Sequence, residues 1–330
     1  MRKKIIILLA IVVPVVVFLA GPRFEKPHLS GKLPDMTVDV QNVGRFVDSI
    51  ESAVKVRPDN EARIVWSNDS LKNKTEYVVL YLSGFGASWY EGNPTHIRFA
   101  KAIGANLYLS RLASHGIDTS EQLIDMYPAA LYESAKEALL IAQALGRKVI
   151  VMSTSTGGTL ALKLASDFPD RVNSLILLSP NIAINNPAAF LLTGPWGLQI
   201  ARMVGGGSPY RILKPKSEIE QKYWYLHQRW EGVVYLKQLV DATMSREVFQ
   251  RVNQPVFLGY YYKNEKEQDP VVKVSAMLKM FDQLGTSDSL KVKVAFPDAG
   301  DHVIGCSDFS GSYLDVEEEI MKFARRIGIL

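Results

Sequence analysis

Residues 148–164, KVIVMSTSTGGTLALKL, restrict what this chain can fold into more than any other stretch. Residues 149–152 are a short apolar run rich in β-branched side chains, the pattern of a strand buried on both faces. Ser153-Thr154-Ser155-Thr156-Gly157-Gly158 follows with no linker, and from Thr159 onward helix formers take over with apolar residues at helical spacing. A strand that runs straight into a helix needs a tight turn, and small side chains there let the two elements pass close together. Residues 153–157 read S-x-S-x-G, a variant of G-x-S-x-G, and such a turn lifts the Ser155 hydroxyl clear of the sheet edge. Ser155 is therefore the candidate nucleophile. The plainer role for a serine at this junction is a helix N-cap, so the remainder of the chain has to choose between the two.

Further short apolar runs at 63–66, 77–82, 106–109, 174–178, 255–262 and 290–296 read as strands. Between and around them, residues 38–54, 94–103, 127–145, 271–284 and 314–327 carry the three-and-four apolar spacing of helices. Nearly continuous apolar strands alternating with helices predict a mostly parallel sheet covered on both faces, a doubly wound α/β fold. From 181 to about 251 the alternation stops. That segment carries Trp224, Trp230 and Tyr235 on helical patterns, a Gly205-Gly206-Gly207 break and no convincing strand, so it is expected to be a helical cap inserted into the fold. Its Phe190, Leu191, Leu192 and Trp196 offer an apolar surface suited to uncharged acyl groups.

Open parallel sheets bind ligands beyond the carboxyl ends of their strands, so the polar residues just after each strand are the ones that matter. They are Ser83 to Gly86, then Ser155, then Asp269, and finally Asp298, Asp301 and His302. A serine hydroxyl attacks only when a base takes its proton, and an imidazole base needs a carboxylate to fix its tautomer and stabilise its cation. Ser155, His302 and Asp269 can fill those three roles. Glu265 and Glu267, earlier in the same loop, are the rivals for the acid, while Asp301 adjoins His302 and so points its side chain elsewhere. His28, His96, His115 and His227 lie in the tether, on a helix, after another strand and amid cap aromatics, which suits them to packing or backbone hydrogen bonds. The turn Ser83-Gly84-Phe85-Gly86-Ala87-Ser88 either presents backbone N–H groups to a developing oxyanion or is a plain strand-to-helix turn.

The excess of Lys and Arg over Asp and Glu is only +4, with no dense basic block beyond the N-terminus, which argues against nucleic acid. A single cysteine, Cys306, excludes an intrachain disulfide framework and any cysteine-based metal cluster. Arg2, Lys3 and Lys4 precede an uncharged run over 5–21, the form of a targeting or anchoring segment. It is expected to remain as one membrane-spanning signal-anchor with the folded body extracytoplasmic, the alternative being export after signal-peptide cleavage. Residues 22–36 then read as a tether, and 37–330 as the folded body.

With these features in place the chain resembles the α/β-hydrolases, specifically the serine esterase and monoacylglycerol-lipase-like branch. The order Ser155, Asp269, His302 is the chain order of that family's triad. Asp269-Pro270-Val271-Val272 resembles its D-x-V-V acid loop, Gly300-Asp301-His302 its G-x-H setting, and Arg111-Leu112-Ala113-Ser114-His115-Gly116 its R-L-x-x-H-G loop. Two positions depart: Ser153 stands where the elbow usually has Gly, and Ser83 where the oxyanion turn usually has His. The resemblance implies hydrolysis of a small or lipid-like carboxylic ester through an acyl-enzyme, with the backbone N–H groups of Phe85 and Thr156 as oxyanion hole and with neither metal nor organic cofactor. It leaves open a serine peptidase or amidase of the same fold, and a catalytically silent membrane-tethered binding protein. A serine at the elbow argues against the epoxide hydrolases and dehalogenases of this fold, which use aspartate there. Nothing in the sequence sets the oligomeric state.

Overall fold

The alternation of strands and helices closes into one seven-stranded sheet in the computed structural model, which describes residues 2–330, with the backbone alone for residues 2, 4–9 and 11. Helices α1 (Arg2–Leu19) and α2 (Val43–Ser52) precede strands β1 (Arg63–Val65) and β2 (Thr75–Leu82). Then come α3 (Thr95–Ala102), β3 (Asn106–Leu109), α4 (Pro128–Leu145), β4 (Gly146–Thr154), α5 (Thr156–Asp167) and β5 (Ser174–Leu178). The cap segment holds α6 (Gly197–Val204), β6 (Tyr210–Ile212), α7 (Glu218–Tyr223), β7 (His227–Arg229), α8 (Trp230–Thr243) and α9 (Arg246–Arg251). The chain returns to the sheet with β8 (Val256–Tyr260), α10 (Val274–Gln283), β9 (Lys291–Ala295) and α11 (Tyr313–Arg326).

The strand order is β1-β3-β2-β4-β5-β8-β9, parallel throughout except where β1 runs against β3. In β2, Val78, Leu80 and Leu82 face one side and pack with residues of α4, α5 and α10, while Val79 and Tyr81 face the other with residues of α3 and α11. Both faces are covered, which is why this strand is apolar at every position from Tyr77 to Leu82 instead of at alternate ones. Each fully buried Val or Leu contributes roughly 1.5–3 kcal/mol by leaving water. The central strands β2, β4 and β5 thus form a rigid platform, and the turns at their carboxyl ends are held in fixed register, with Leu82 opposite Ser153 and Thr154 opposite Leu178.

Two expectations need correction. The cap is not wholly helical: β6 and β7 pair antiparallel as a small ribbon, with Tyr210 opposite Arg229 and Ile212 opposite His227. Three-residue strands of mostly polar residues carry no period that a sequence pattern can register. The N-terminal run does form a helix, continuous through Pro14, but among the described residues no helix is long and apolar enough to cross a membrane. Because α1 begins with its three basic residues, its uncharged part is only about 22 Å long at 1.5 Å per residue, against a hydrocarbon core of roughly 30 Å. Its end is instead tied to the cap, where Trp196 donates its backbone N–H to the Pro22 carbonyl at 2.9 Å and its indole N–H to the Val17 carbonyl at 3.2 Å.

Candidate active site

Ser155 stands between β4 and α5 with φ 54° and ψ −116°, a backbone conformation that side-chain-bearing residues rarely adopt. The neighbouring strand holds it there. The Ser155 N–H donates to the Leu178 carbonyl at 3.1 Å, and the Ser155 carbonyl accepts from Gly158 at 2.9 Å and Asn181 at 2.8 Å. The turn is tight enough that a Cβ on Gly157 would lie 2.0 Å from the Leu82 carbonyl oxygen, so only glycine fits. No side-chain hydrogen bond caps α5, so the Ser155 hydroxyl is not spent as an N-cap. Ser153, the first departure from the family pattern, is buried and directs its hydroxyl at the Ile176 carbonyl at 3.5 Å.

Asp269 and His302 come together from the loops after β8 and β9. His302 Nδ1 lies 2.6 Å from Asp269 Oδ2, and the other carboxylate oxygen accepts the backbone N–H groups of Val271 at 2.8 Å and Val272 at 3.0 Å. Asp269 is fully buried, so all three bonds fix it in place without competition from water. Burial opposes a charge on His302, but the Asp269 carboxylate outweighs it and the imidazole pKa is raised. A proton on Nδ1 directed at Asp269 leaves Nε2 as the basic atom, and Nε2 is buried with no hydrogen-bond partner. The rivals are elsewhere: Glu265 accepts from the Tyr262 hydroxyl at 3.0 Å and Glu267 from Asn264 at 2.8 Å, both on the exposed surface. Asp301 does line the cavity beside His302, but its carboxylate pairs with Lys216 at 2.8 Å.

The turn after β2 lies beside Ser155. A Cβ on Gly84 would stand 3.0 Å from that of Ser155. His115, in the R-L-x-x-H-G loop, shapes this turn: its Nδ1 donates to the Ala113 carbonyl at 2.8 Å, so Nε2 is free to accept the Gly86 N–H at 3.0 Å. Burial lowers the His115 pKa to about 4, which keeps it in the neutral, accepting form. Among the described residues neither the Phe85 nor the Thr156 backbone N–H is bound within the protein. Ser83, the second departure, is buried with its hydroxyl 3.4 Å from the Ala87 carbonyl.

Glu91 is the site residue that sequence reasoning misses. It sits in the 3₁₀ turn Trp89–Gly92, 3% exposed, and accepts the Gly84 N–H at 2.6 Å. Burial raises its pKa to about 7, with the Gly84 N–H and the nearby His302 working against that rise. In sequence it is one carboxylate in a polar-looking turn, and nothing marks it as buried.

Ser155, His302, Phe85 and Glu91 line a cavity of about 560 Å³ roofed by Leu191, Leu192, Ile200, Val204 and Val233. The cap surface expected from the sequence is thus half present. Leu191 and Leu192 face the cavity, whereas Phe190 is 68% exposed and Trp196 holds the N-terminal segment. Among the described residues no group of three or more His, Cys, Asp or Glu side chains is placed to hold a metal ion.

A family model described as alpha/beta hydrolase fold matches residues 77–304. Methylesterase 2 of Arabidopsis thaliana is 29% identical over 110 residues, which spans 33% of this chain and 40% of that relative. A structure reported for the metagenome-derived lipolytic enzymes LipS and LipT superposes with a TM-score of 0.66 at 17% identity, covering 82% of this chain and all of the other. The monoacylglycerol lipase of Paleococcus ferrophilus gives 0.54 at 16% identity, covering 80% and 98%. A soluble variant of monoglyceride lipase from Saccharomyces cerevisiae gives 0.55 at 13%, covering 80% and 91%. At such identities these structures share the fold.

Proposed function

The chain belongs to the alpha/beta hydrolase fold family, whose esterases and lipases it is related to, and from that premise we propose that it cleaves carboxylic esters through an acyl-enzyme on Ser155. One observation carries the reading. Ser155, with its strained backbone, and His302, whose Nε2 has no other partner, line the same cavity, with the fully buried Asp269 behind the imidazole. In the proposed reaction His302 Nε2 takes the Ser155 proton as Oγ attacks the ester carbonyl. The Phe85 and Thr156 N–H groups meet the charge that develops on the carbonyl oxygen. Asp269 stabilises the imidazolium, which then gives its proton to the departing alkoxide. Water enters by the same route in reverse and releases the acid.

The apolar roof suits an aliphatic acyl chain, which supports an acyl ester as substrate class. A peptidase or amidase of the same fold would share every step, so a matched pair decides: nitrophenyl hexanoate and the corresponding anilide. Rapid release of about one equivalent of nitrophenol per enzyme, then slower turnover, with the anilide at least a hundredfold poorer, is the expected result. Faster cleavage of the anilide would overturn the ester reading. For location we infer that the segment at 2–21 directs the body to the extracytoplasmic side, which Arg2, Lys3 and Lys4 ahead of the apolar run support. The mass of the mature N-terminus, together with protease accessibility of the body in intact cells, tests that inference.

A further inference from the structure

Resting on the ester reading above, we propose that Arg211 is a specificity residue that receives an oxyanion group, carboxylate or phosphate, carried by the substrate beyond its scissile bond. Arg211 lies on β6, in the cap ribbon, and lines the same cavity as Ser155 and His302. Other basic side chains of the cap have acidic partners: Arg202 pairs with Glu231 at 2.5 Å, Arg229 with Glu121 at 2.7 Å, and Lys216 with Asp301 at 2.8 Å. Arg211 has no carboxylate within ion-pair distance among the described residues. Its guanidinium makes a single 3.3 Å hydrogen bond to the Gln228 side-chain oxygen.

The cavity's own carboxylates are committed elsewhere. Asp301 holds Lys216, Glu220 accepts the Lys216 backbone N–H at 2.5 Å, and Glu91 accepts the Gly84 N–H. An arginine does not shed its proton, so Arg211, solvent-exposed at the edge of the cavity, presents a charge that is met by water and not by an acid. A planar oxyanion can replace that water with a bidentate, charge-assisted pair.

The ribbon also places this charge near the chemistry. Tyr225 donates its N–H to the Gly86 carbonyl at 2.7 Å, and Ala87 pairs with Trp224, so the segment between β6 and β7 is stitched to the turn that carries Phe85. Gln228, the Arg211 partner, reaches that turn too, since a Cβ on Gly86 would lie 3.0 Å from its amide nitrogen. Ser155, Phe85, Gln228 and Arg211 line one cavity, so a substrate extending from Ser155 past Phe85 can reach Arg211.

The test uses ligands without a scissile ester, so that it does not depend on Ser155 chemistry. N-butyl adipamic acid and N-butylhexanamide differ only in a terminal carboxylate in place of a methyl group, and a phosphonate analogue separates the two kinds of oxyanion. Titration calorimetry on the full chain should give about two- to fivefold tighter binding of either anion over the neutral amide, the value of a solvent-exposed ion pair. In Arg211→Gln that preference should fall close to one, and in Arg211→Lys it should survive in part. Equal binding to the unmodified chain, no measurable binding of the anions at millimolar concentration, or a preference that persists in Arg211→Gln would overturn the proposal. Anion preference without hydrolysis of any nitrophenyl ester would leave the anion site standing and sink the ester reading. Hydrolysis without anion preference does the reverse.

Discussion

The floor and the roof of the cavity are built by different means. The floor rests on β2, β4 and β5, whose side chains are buried on both faces of the sheet, and Ser155 is held there by backbone hydrogen bonds to Leu178, Gly158 and Asn181. The roof is a set of short helices and a three-residue ribbon with exposed apolar residues such as Phe190, Met203, Val204 and Ile212. Placing a nucleophile and base for proton transfer demands tolerances of a fraction of an ångström, which a packed sheet supplies. Choosing among substrates tolerates looser elements. Substitutions in the floor should therefore change the rate of the chemical step, and substitutions in the roof should change which substrates bind.

The largest effect expected is that of Ser155→Ala, a fall in nitrophenyl ester hydrolysis by about four to six orders of magnitude with folding retained. Residual activity within tenfold of wild type would break the division between floor and roof at once. Asp269→Asn should cost several orders of magnitude, about 10⁴ by analogy with triads of this type, and Glu265→Gln or Glu267→Gln should cost almost nothing. The same variant carries a pH test. The proposed reaction needs neutral His302, whose pKa Asp269 raises, so kcat/KM should rise with pH through a midpoint above that of an ordinary histidine, and Asp269→Asn should move the midpoint downward.

Glu91 gives the next effect, and its sign is opposite to that of most carboxylates. Its folded pKa is about 7 against an ordinary 4.5, so its contribution to stability is complete below about 4.5 and lost as pH rises through 7. Glu91→Gln, which stays neutral, should gain on wild type by up to roughly 3 kcal/mol in denaturant titrations as pH goes from 4.5 to 8, at 1.36 kcal/mol per unit. A gap independent of pH would show that Glu91 is not a buried titrating group. The smallest effect belongs to the roof: Leu191→Ala with Leu192→Ala should raise KM for medium-chain acyl esters about tenfold and leave kcat within about threefold. A fall in kcat as large as that of Asp269→Asn would make the roof part of the catalytic machinery.

What sequence reasoning recovers follows the same division. The runs at 106–109 and 174–178 coincide with β3 and β5, because a strand covered on both faces has to be apolar throughout. Ser155 follows directly on such a strand, and Asp269 and His302 lie in the loops after β8 and β9, where a parallel sheet gathers its polar ends, so the sequence offers all three as candidates. The ribbon was not legible, since Tyr210–Ile212 and His227–Arg229 gain their pairing only from the tertiary setting. Glu91 and Arg211 were not legible either. A lone charged residue is most often solvated, and only the fold shows Glu91 buried under Gly84 and Arg211 at the edge of the cavity with Gln228 as its hydrogen-bond partner. At the N-terminus the hydropathy pattern pointed correctly to a helix but not to its length, because the basic residues that suggest targeting are themselves the first residues of α1.

The most direct test of Ser155 as the nucleophile is to treat the folded protein with an alkyl fluorophosphonate and map the adduct by peptide mass spectrometry. Covalent modification on the peptide containing Ser155, at one equivalent per chain and abolished by His302→Ala, is the result predicted here. No adduct at Ser155 in protein shown to be folded, or labelling unaffected by loss of His302, would contradict it.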